Sequence, residues 1–173
     1  MRIEDELKKL PREFVRVVER IPLRDEKPLP SDWLRCQIVE RFRILENLEI
    51  KNGENILEVG SGPHAIATIA LAHSVGKKGR VVAVDLERWN FFEDTLRNAG
   101  VLRRVIPLKC DARNLPFPYE FFDKGVSIHV LRSFKSKEDI LKIFREMLRV
   151  TRNEIFIATS LPIAKNKAQM AHL

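Results

Sequence analysis

The sequence predicts a doubly wound α/β fold, a mostly parallel sheet with helices on both faces. Three observations predict it. Strand-like and helix-like segments alternate regularly between residues 55 and 159, the pattern of consecutive βα units. The strand segments, such as Val81-Val82-Ala83-Val84, are apolar almost throughout rather than at every second position, as strands covered on both faces must be. A chain of 173 residues is also the size of one domain with a substantial core.

Taken in order, residues 3–20 have helical spacing interrupted by Pro11, and residues 21–30, with three prolines and mixed charges, read as a linker. Ser31 is a candidate N-cap for a helix running to about Leu48, in which Leu34, Ile38, Phe42 and Leu45 recur at spacings of four and three. Lys51-Asn52-Gly53 closes it with a turn. There follow a strand over 55–59, a helix over 63–75, a strand over 80–85, a helix over 87–98 and a strand over 105–110. A loop through Leu115-Pro116-Phe117-Pro118 leads to a strand over 124–130, a helix over 137–150 and a strand over 154–159. Ser136 and Asp139 make a capping-box-like start for that last helix, with Ile140, Phe144, Met147 and Leu148 as its apolar positions. Residues 1–50 therefore read as an N-terminal helical extension or lid, and 51–173 as the core of one compact unit.

Composition narrows the function classes. Charged residues make up 32% of the chain, as in a soluble globular protein. The uncharged run from Val59 to Gly76 is broken by glycine, proline and histidine and is no membrane span. The start, Met1-Arg2-Ile3-Glu4-Asp5, lacks the apolar block of a signal peptide, so a cytoplasmic location is expected. Cys36 and Cys110 have no partner at ligand spacing, so neither a disulfide framework nor a metal site is signalled. Net charge is +7; residues 1–50 hold 11 basic and 11 acidic residues, so the whole surplus lies in 51–173. Lys142, Arg145 and Arg149 fall at helical spacing, a stripe that suits either nucleic-acid phosphates or a solvated helix face. The abundance of Glu, Lys and Arg resembles that of heat-adapted proteins.

Open α/β sheets bind ligands beyond the carboxyl ends of their strands. The first strand ends Glu58-Val59-Gly60-Ser61-Gly62-Pro63-His64, where two glycines allow a sharp turn and close backbone approach to a ligand. Gly60, Gly62 and Ala65 also satisfy a dinucleotide fingerprint, which keeps a nicotinamide or flavin cofactor open. Glu58 is unusual in such a strand and can meet an ammonium group. Asp85 ends the second strand, where an acid can accept from both ribose hydroxyls, and Asp111 ends the third on the same edge.

Glu58-Val59-Gly60-Ser61-Gly62, Val84-Asp85, Cys110-Asp111-Ala112-Arg113-Asn114-Leu115-Pro116-Phe117 and Phe122-Asp123-Lys124-Gly125-Val126-Ser127 resemble the successive motifs of class I S-adenosylmethionine-dependent methyltransferases, a Rossmann-like family. Leu115-Pro116-Phe117 before Phe121-Phe122-Asp123, and the later Ile143-Phe144-Arg145-Glu146-Met147-Leu148-Arg149, resemble its type 11 subfamily in particular. The resemblance spans about residues 50–160. It implies that Glu58, Gly60, Ser61 and Gly62 hold the methionine moiety, that Asp85 takes the ribose hydroxyls and Leu86 packs on the adenine, and that Asp111 with Ala112 reads the adenine edge, with Ser127 on the same cofactor site. S-adenosylhomocysteine is then the product.

The chain also departs from the family. His64 stands where a third glycine is frequent, and only 13 residues follow Ser160, too few for the antiparallel hairpin that normally completes the sheet. The fifth strand is then an edge to be covered by Leu161 to Leu173 or by a second copy in a homodimer. On the acceptor side, His129 is a candidate base and Arg132 a candidate contact for an acidic acceptor. Trp33, with Arg35 and Gln37, lies on the helix that the resemblance implies to stand beside the cofactor and acceptor, where these residues would form a lid. A small-molecule methyl acceptor is expected; tRNA or rRNA methylation, a noncatalytic cofactor-binding module and a nicotinamide-dependent oxidoreductase remain as alternatives.

Overall fold

A computed structural model describes residues 31–87 and 90–159, together with Asp5 and residues 8–10. The linker over 21–30, most of the expected helix over 3–20, the side chain of Trp33 and the proposed edge cover over 161–173 lie outside the described residues.

The elements run α1 (Ser31–Glu46), β1 (Asn55–Val59), α2 (Ile66–Ser74), β2 (Arg80–Asp85), α3 (Phe92–Asn98), β3 (Val105–Lys109), β4 (Phe122–Ile128), α4 (Lys137–Val150) and β5 (Thr151–Ala158). Among the described residues there is one five-stranded sheet of order β3-β2-β1-β4-β5, and every pairing in it is parallel. Strand order reverses at β1, so the crevice for a ligand falls at the carboxyl ends of β1 and β4.

Alternation along the strands divides the interior in two. Ile56, Val81, Ala83, Val126 and Ile128 form one core with Ile38 of α1, Ile66 and Ile69 of α2, and Phe92 and Leu96 of α3. Leu57, Val59, Val82 and Val84 form the other with Ile143, Met147 and Val150 of α4. Helices thus cover both faces, as the apolar strands require.

Several boundaries differ from the sequence expectation for local reasons. Helix α2 begins at Ile66 rather than at residue 63, because Gly62 (φ +63°) and Ala65 (φ +52°) are left-handed and cannot extend a right-handed helix. Strand β4 spans Phe122–Ile128 and stops before His129, whose φ is +61°. Helix α4 passes straight into β5, since Thr151 is already extended at φ −109° and ψ 132°. Along α4, Met147 is buried as expected, together with Ile143 and Val150, whereas Ile140 and Phe144 are half-buried and Leu148 is 58% exposed, so the core stripe runs through 143, 147 and 150. Ser136 does cap this helix, accepting from the Asp139 N–H at 3.4 Å.

Two clips position the parts of the site. The buried Lys124 of β4 donates through Nζ to the carbonyls of Leu48 (2.7 Å) and Glu49 (3.1 Å) and pairs with Glu154 at 3.2 Å. It thereby fastens the chain just past α1 to the sheet. On the opposite face Arg149 donates to the carbonyls of Phe117 (2.7 Å) and Leu115 (2.8 Å), while Glu146 accepts from the Leu115 N–H at 2.7 Å, so α4 holds the loop after β3. Among the described residues no helix is long and apolar enough to cross a membrane.

Candidate active site

A cavity of about 420 Å³ opens at the carboxyl ends of β1, β2 and β4, under α1. Its first half comes from the strand ends. Gly60 has φ +79°, and a Cβ there would stand 1.9 Å from Val130 Cγ2, so only glycine fits. Gly62 has φ +63° and faces open space. The loop is fixed to β2: the N–H groups of Gly60 and Ser61 donate to the Val84 carbonyl at 2.7 and 3.3 Å, and that of Gly62 to Asp85 Oδ2 at 2.9 Å. The second Asp85 oxygen accepts from the Glu87 N–H at 3.1 Å. A pyrophosphate cradle needs such amides aimed at the ligand; here they are turned to the β2 end, which disfavours the dinucleotide alternative.

Glu58 lines the same half and is buried. Burial pushes its carboxyl up to about 7; the nearby Thr68 hydroxyl lowers it, the Asp85 charge raises it and the Arg41 charge lowers it. Oε2 of Glu58 has no hydrogen-bond partner, and the Thr68 hydroxyl falls outside hydrogen-bond geometry. A buried carboxylate oxygen without a partner is costly by itself and fits a cation or N–H donor supplied by a ligand. Leu86 and Ala112 also line the cavity. His64 lines it too, and burial lowers its pKa, keeping the ring neutral.

The second half is built where α1 meets the end of β4. Gln37 and Arg41 line it with His129, Arg132, Ser133 and Phe134. The left-handed backbone at His129 takes its side chain out of the strand's alternation, and its Nε2 lies 3.1 Å from Glu40 Oε1 across 89 residues of sequence. Arg41 donates to Glu40 Oε2 at 2.5 Å and to Gln37 Oε1 at 3.0 Å. Burial lowers the pKa of His129, with Arg41 and Arg132 acting in the same sense and Glu40 opposing them, so the ring is neutral at neutral pH.

Two expected residues stand elsewhere, and the side chain of a third lies outside the described residues. Ser127 pairs in register with Val59, on the α4 face, and its buried hydroxyl does not line the cavity. The Asp111 carboxylate is taken by Arg113, with Nε at 3.0 Å from each oxygen and Nη2 at 2.7 Å, and Arg113 also pairs with Asp139 at 3.1 Å. That hydrogen bonding holds the Asp111 pKa below the usual range. Trp33 belongs to α1 but only its backbone is described. Sequence reasoning missed Glu40 and Arg41; the helical register of Gln37 and Arg41, four apart on the helix beside the site, was the available signal.

A parallel sheet of this order, with an acid and two left-handed glycines closing β1 and an acid closing β2, defines a nucleoside-cofactor-binding α/β domain. The chain belongs to the methyltransferase-domain family, whose model matches residues 57–158. The model of protein-L-isoaspartate(D-aspartate) O-methyltransferase matches residues 3–101, bringing α1 into a family pattern as well. A ubiquinone/menaquinone biosynthesis C-methyltransferase of Vibrio cholerae is 34% identical over 100 residues, 57% of this chain and 37% of that protein. The chain thus spans little more than a third of that relative. A SAM-dependent methyltransferase from Aquifex aeolicus has a TM-score of 0.60 at 22% identity, covering 73% of this chain and 69% of the other. A cyclopropane-fatty-acyl-phospholipid synthase-like protein from Lactobacillus casei reaches 0.69 at 21%, covering 90% and 60%. These two likenesses concern the fold. The cofactor of the class is S-adenosylmethionine, and the unpartnered Glu58 oxygen, the open space over Gly62 and the acid at Asp85 fit its ammonium, its backbone and its ribose.

Proposed function

We propose that the protein transfers a methyl group from S-adenosylmethionine to a small-molecule acceptor. The observation that carries this reading is the convergence of Glu58, Gly62 and Asp85 on one cavity whose other half is lined by side chains of α1 and the β4 end. When bound, the cofactor supplies an electrophilic sulfonium methyl. The chain's own residues then bind and orient: Glu58 pairs with the ammonium, Asp85 accepts from the ribose hydroxyls, Leu86 covers the adenine beside Ala112, and Asp111 reaches the adenine edge if it exchanges Arg113 for it. Displacement needs alignment above all. For an acceptor that must lose a proton, His129 is the group to take it, held by Glu40. Arg132 binds the acceptor.

The C-methyltransferase relatives support carbon as the target atom. The match of residues 3–101 to a carboxyl O-methyltransferase family favours a second reading, ester formation. Base treatment of labelled product separates them, because esters release methanol and C-methyl groups do not. An RNA acceptor finds less support: of the basic stripe, Arg149 is engaged with Glu146, Leu115 and Phe117, which leaves Lys142 and Arg145. A cytoplasmic location and a homodimer pairing along β5 belong to the same proposal.

The test is calorimetric titration with S-adenosylmethionine, S-adenosylhomocysteine and NADH, then S-adenosylhomocysteine release across acceptor classes. Binding of the first two alone, with turnover, is the expected result. Binding of NADH, or binding without turnover of any acceptor, overturns the reading in favour of an oxidoreductase or a noncatalytic module.

A further inference from the structure

The acceptor half of the cavity has an uneven charge distribution. Glu58 and Asp85, the carboxylates that line the cavity among the described residues, stand at the ends of β1 and β2, in the cofactor half. At the α1 and β4 side the lining charges are the guanidinium groups of Arg41 and Arg132. Arg41 is an unusual residue for such a place, since its side chain is only 14% exposed and burial lowers its pKa. Keeping a guanidinium out of water needs anionic or acceptor partners. It has two in this state, Gln37 at 3.0 Å and Glu40 at 2.5 Å.

Glu40 is a weak holder. Its side chain is 39% exposed, and it divides its two oxygens between Arg41 and His129. The hydrogen bonds to Glu40 and Gln37 use two of the five donors of a guanidinium. A planar oxyanion entering the cavity meets the remaining edge of the Arg41 fork in the geometry that guanidinium recognises best.

We infer that the acceptor is a carboxylate-bearing small molecule whose carboxylate is anchored by Arg41, with Glu40 as the resident counterion that it displaces or joins. This rests on the methyltransferase reading above and adds to it the charge class of the acceptor and the residue that selects it. The carboxylate is the anchor; the atom methylated is set by what the anchored molecule presents toward the cofactor half.

The test compares benzoate with benzamide, equal in shape and different in charge, titrated into the full chain loaded with S-adenosylhomocysteine. Benzoate is expected to bind at least about tenfold more tightly, and Arg41→Met to remove that preference. S-adenosylhomocysteine affinity reports whether the variant is folded; if Arg41→Met does not retain it, Arg41→Lys is read instead, with a reduced preference expected because the planar fork is lost. Equal binding of the two probes, binding of neither up to their solubility, or a preference unchanged in the substituted protein overturns the inference. Failure of S-adenosylhomocysteine itself to bind the unsubstituted chain overturns the methyltransferase reading instead, so the two failures are distinguishable.

Discussion

The two halves of the cavity are made in different ways. The cofactor half is backbone and short side chains at the ends of adjacent strands, with Gly60, Ser61 and Gly62 all hydrogen-bonded to the end of β2. The acceptor half is long side chains, Gln37, Glu40 and Arg41 of α1 against His129 and Arg132 after β4. The first is fixed by the sheet itself, whereas the second depends on how one helix is fastened over the sheet. Rigidity thus belongs to the half built by the sheet, and adaptable side chains to the half built by one helix.

The largest effect is expected from Gly60→Ala, which puts a methyl group 1.9 Å from Val130 Cγ2 at a positive φ. It should cost about 3 kcal/mol or more in urea unfolding and abolish S-adenosylhomocysteine binding. A variant that binds normally breaks the claim that this half is rigid.

Glu58→Gln sharpens the contrast through pH. The folded-state pKa of Glu58 is about 7, above its ordinary value of 4.5. Its protonated form therefore favours the empty fold fully below about pH 4.5, and that contribution is lost as pH rises through 7. At pH 8 Glu58→Gln should raise the unfolding free energy by up to about 3 kcal/mol while weakening cofactor binding. In the unsubstituted chain, affinity for S-adenosylmethionine should rise with pH up to about 7 and then level, with proton release seen by calorimetry in buffers of different ionisation enthalpy. A flat profile contradicts the pairing of Glu58 with the ligand's ammonium.

Asp85→Ala removes a ribose acceptor and also the bonds to the Gly62 and Glu87 N–H groups. Cofactor binding should weaken by about 1–3 kcal/mol, measured by titration. Smallest is Lys124→Met, which releases the carbonyls of Leu48 and Glu49. It should cost about 1 kcal/mol of stability and disturb acceptor turnover more than S-adenosylhomocysteine affinity. An equal loss in both would show that α1 supports the two halves alike.

The same division explains what was legible in the sequence. Glu58, Gly60, Gly62 and Asp85 sit in short motifs whose chemistry follows from the strand that carries them, and the structure brings them to one cavity. Five strands and four helices of the described region follow from apolar runs and spacing, with errors where a left-handed residue such as Ala65 or His129 ends a regular element. Ser127 was assigned to the cofactor site because it is near the end of β4, yet its pairing with Val59 turns it to the α4 face. Asp111 is legible as a strand-end acid, whereas its capture by Arg113 depends on how the turn after β3 folds the guanidinium back onto it. The link from Glu40 to His129 crosses 89 residues and depends on where α1 settles, which no local pattern encodes.

The isopropyl group of Val130 fills the space where a side chain at position 60 would be. It acts as a key in a lock between the loop after β1 and the segment after β4, so the spacing between cofactor and acceptor groups is gauged by one methyl contact. A smaller residue at 130 would therefore clear room for a side chain at 60 without relieving the strain of its positive φ, so glycine is held at 60 by packing and by backbone conformation at once.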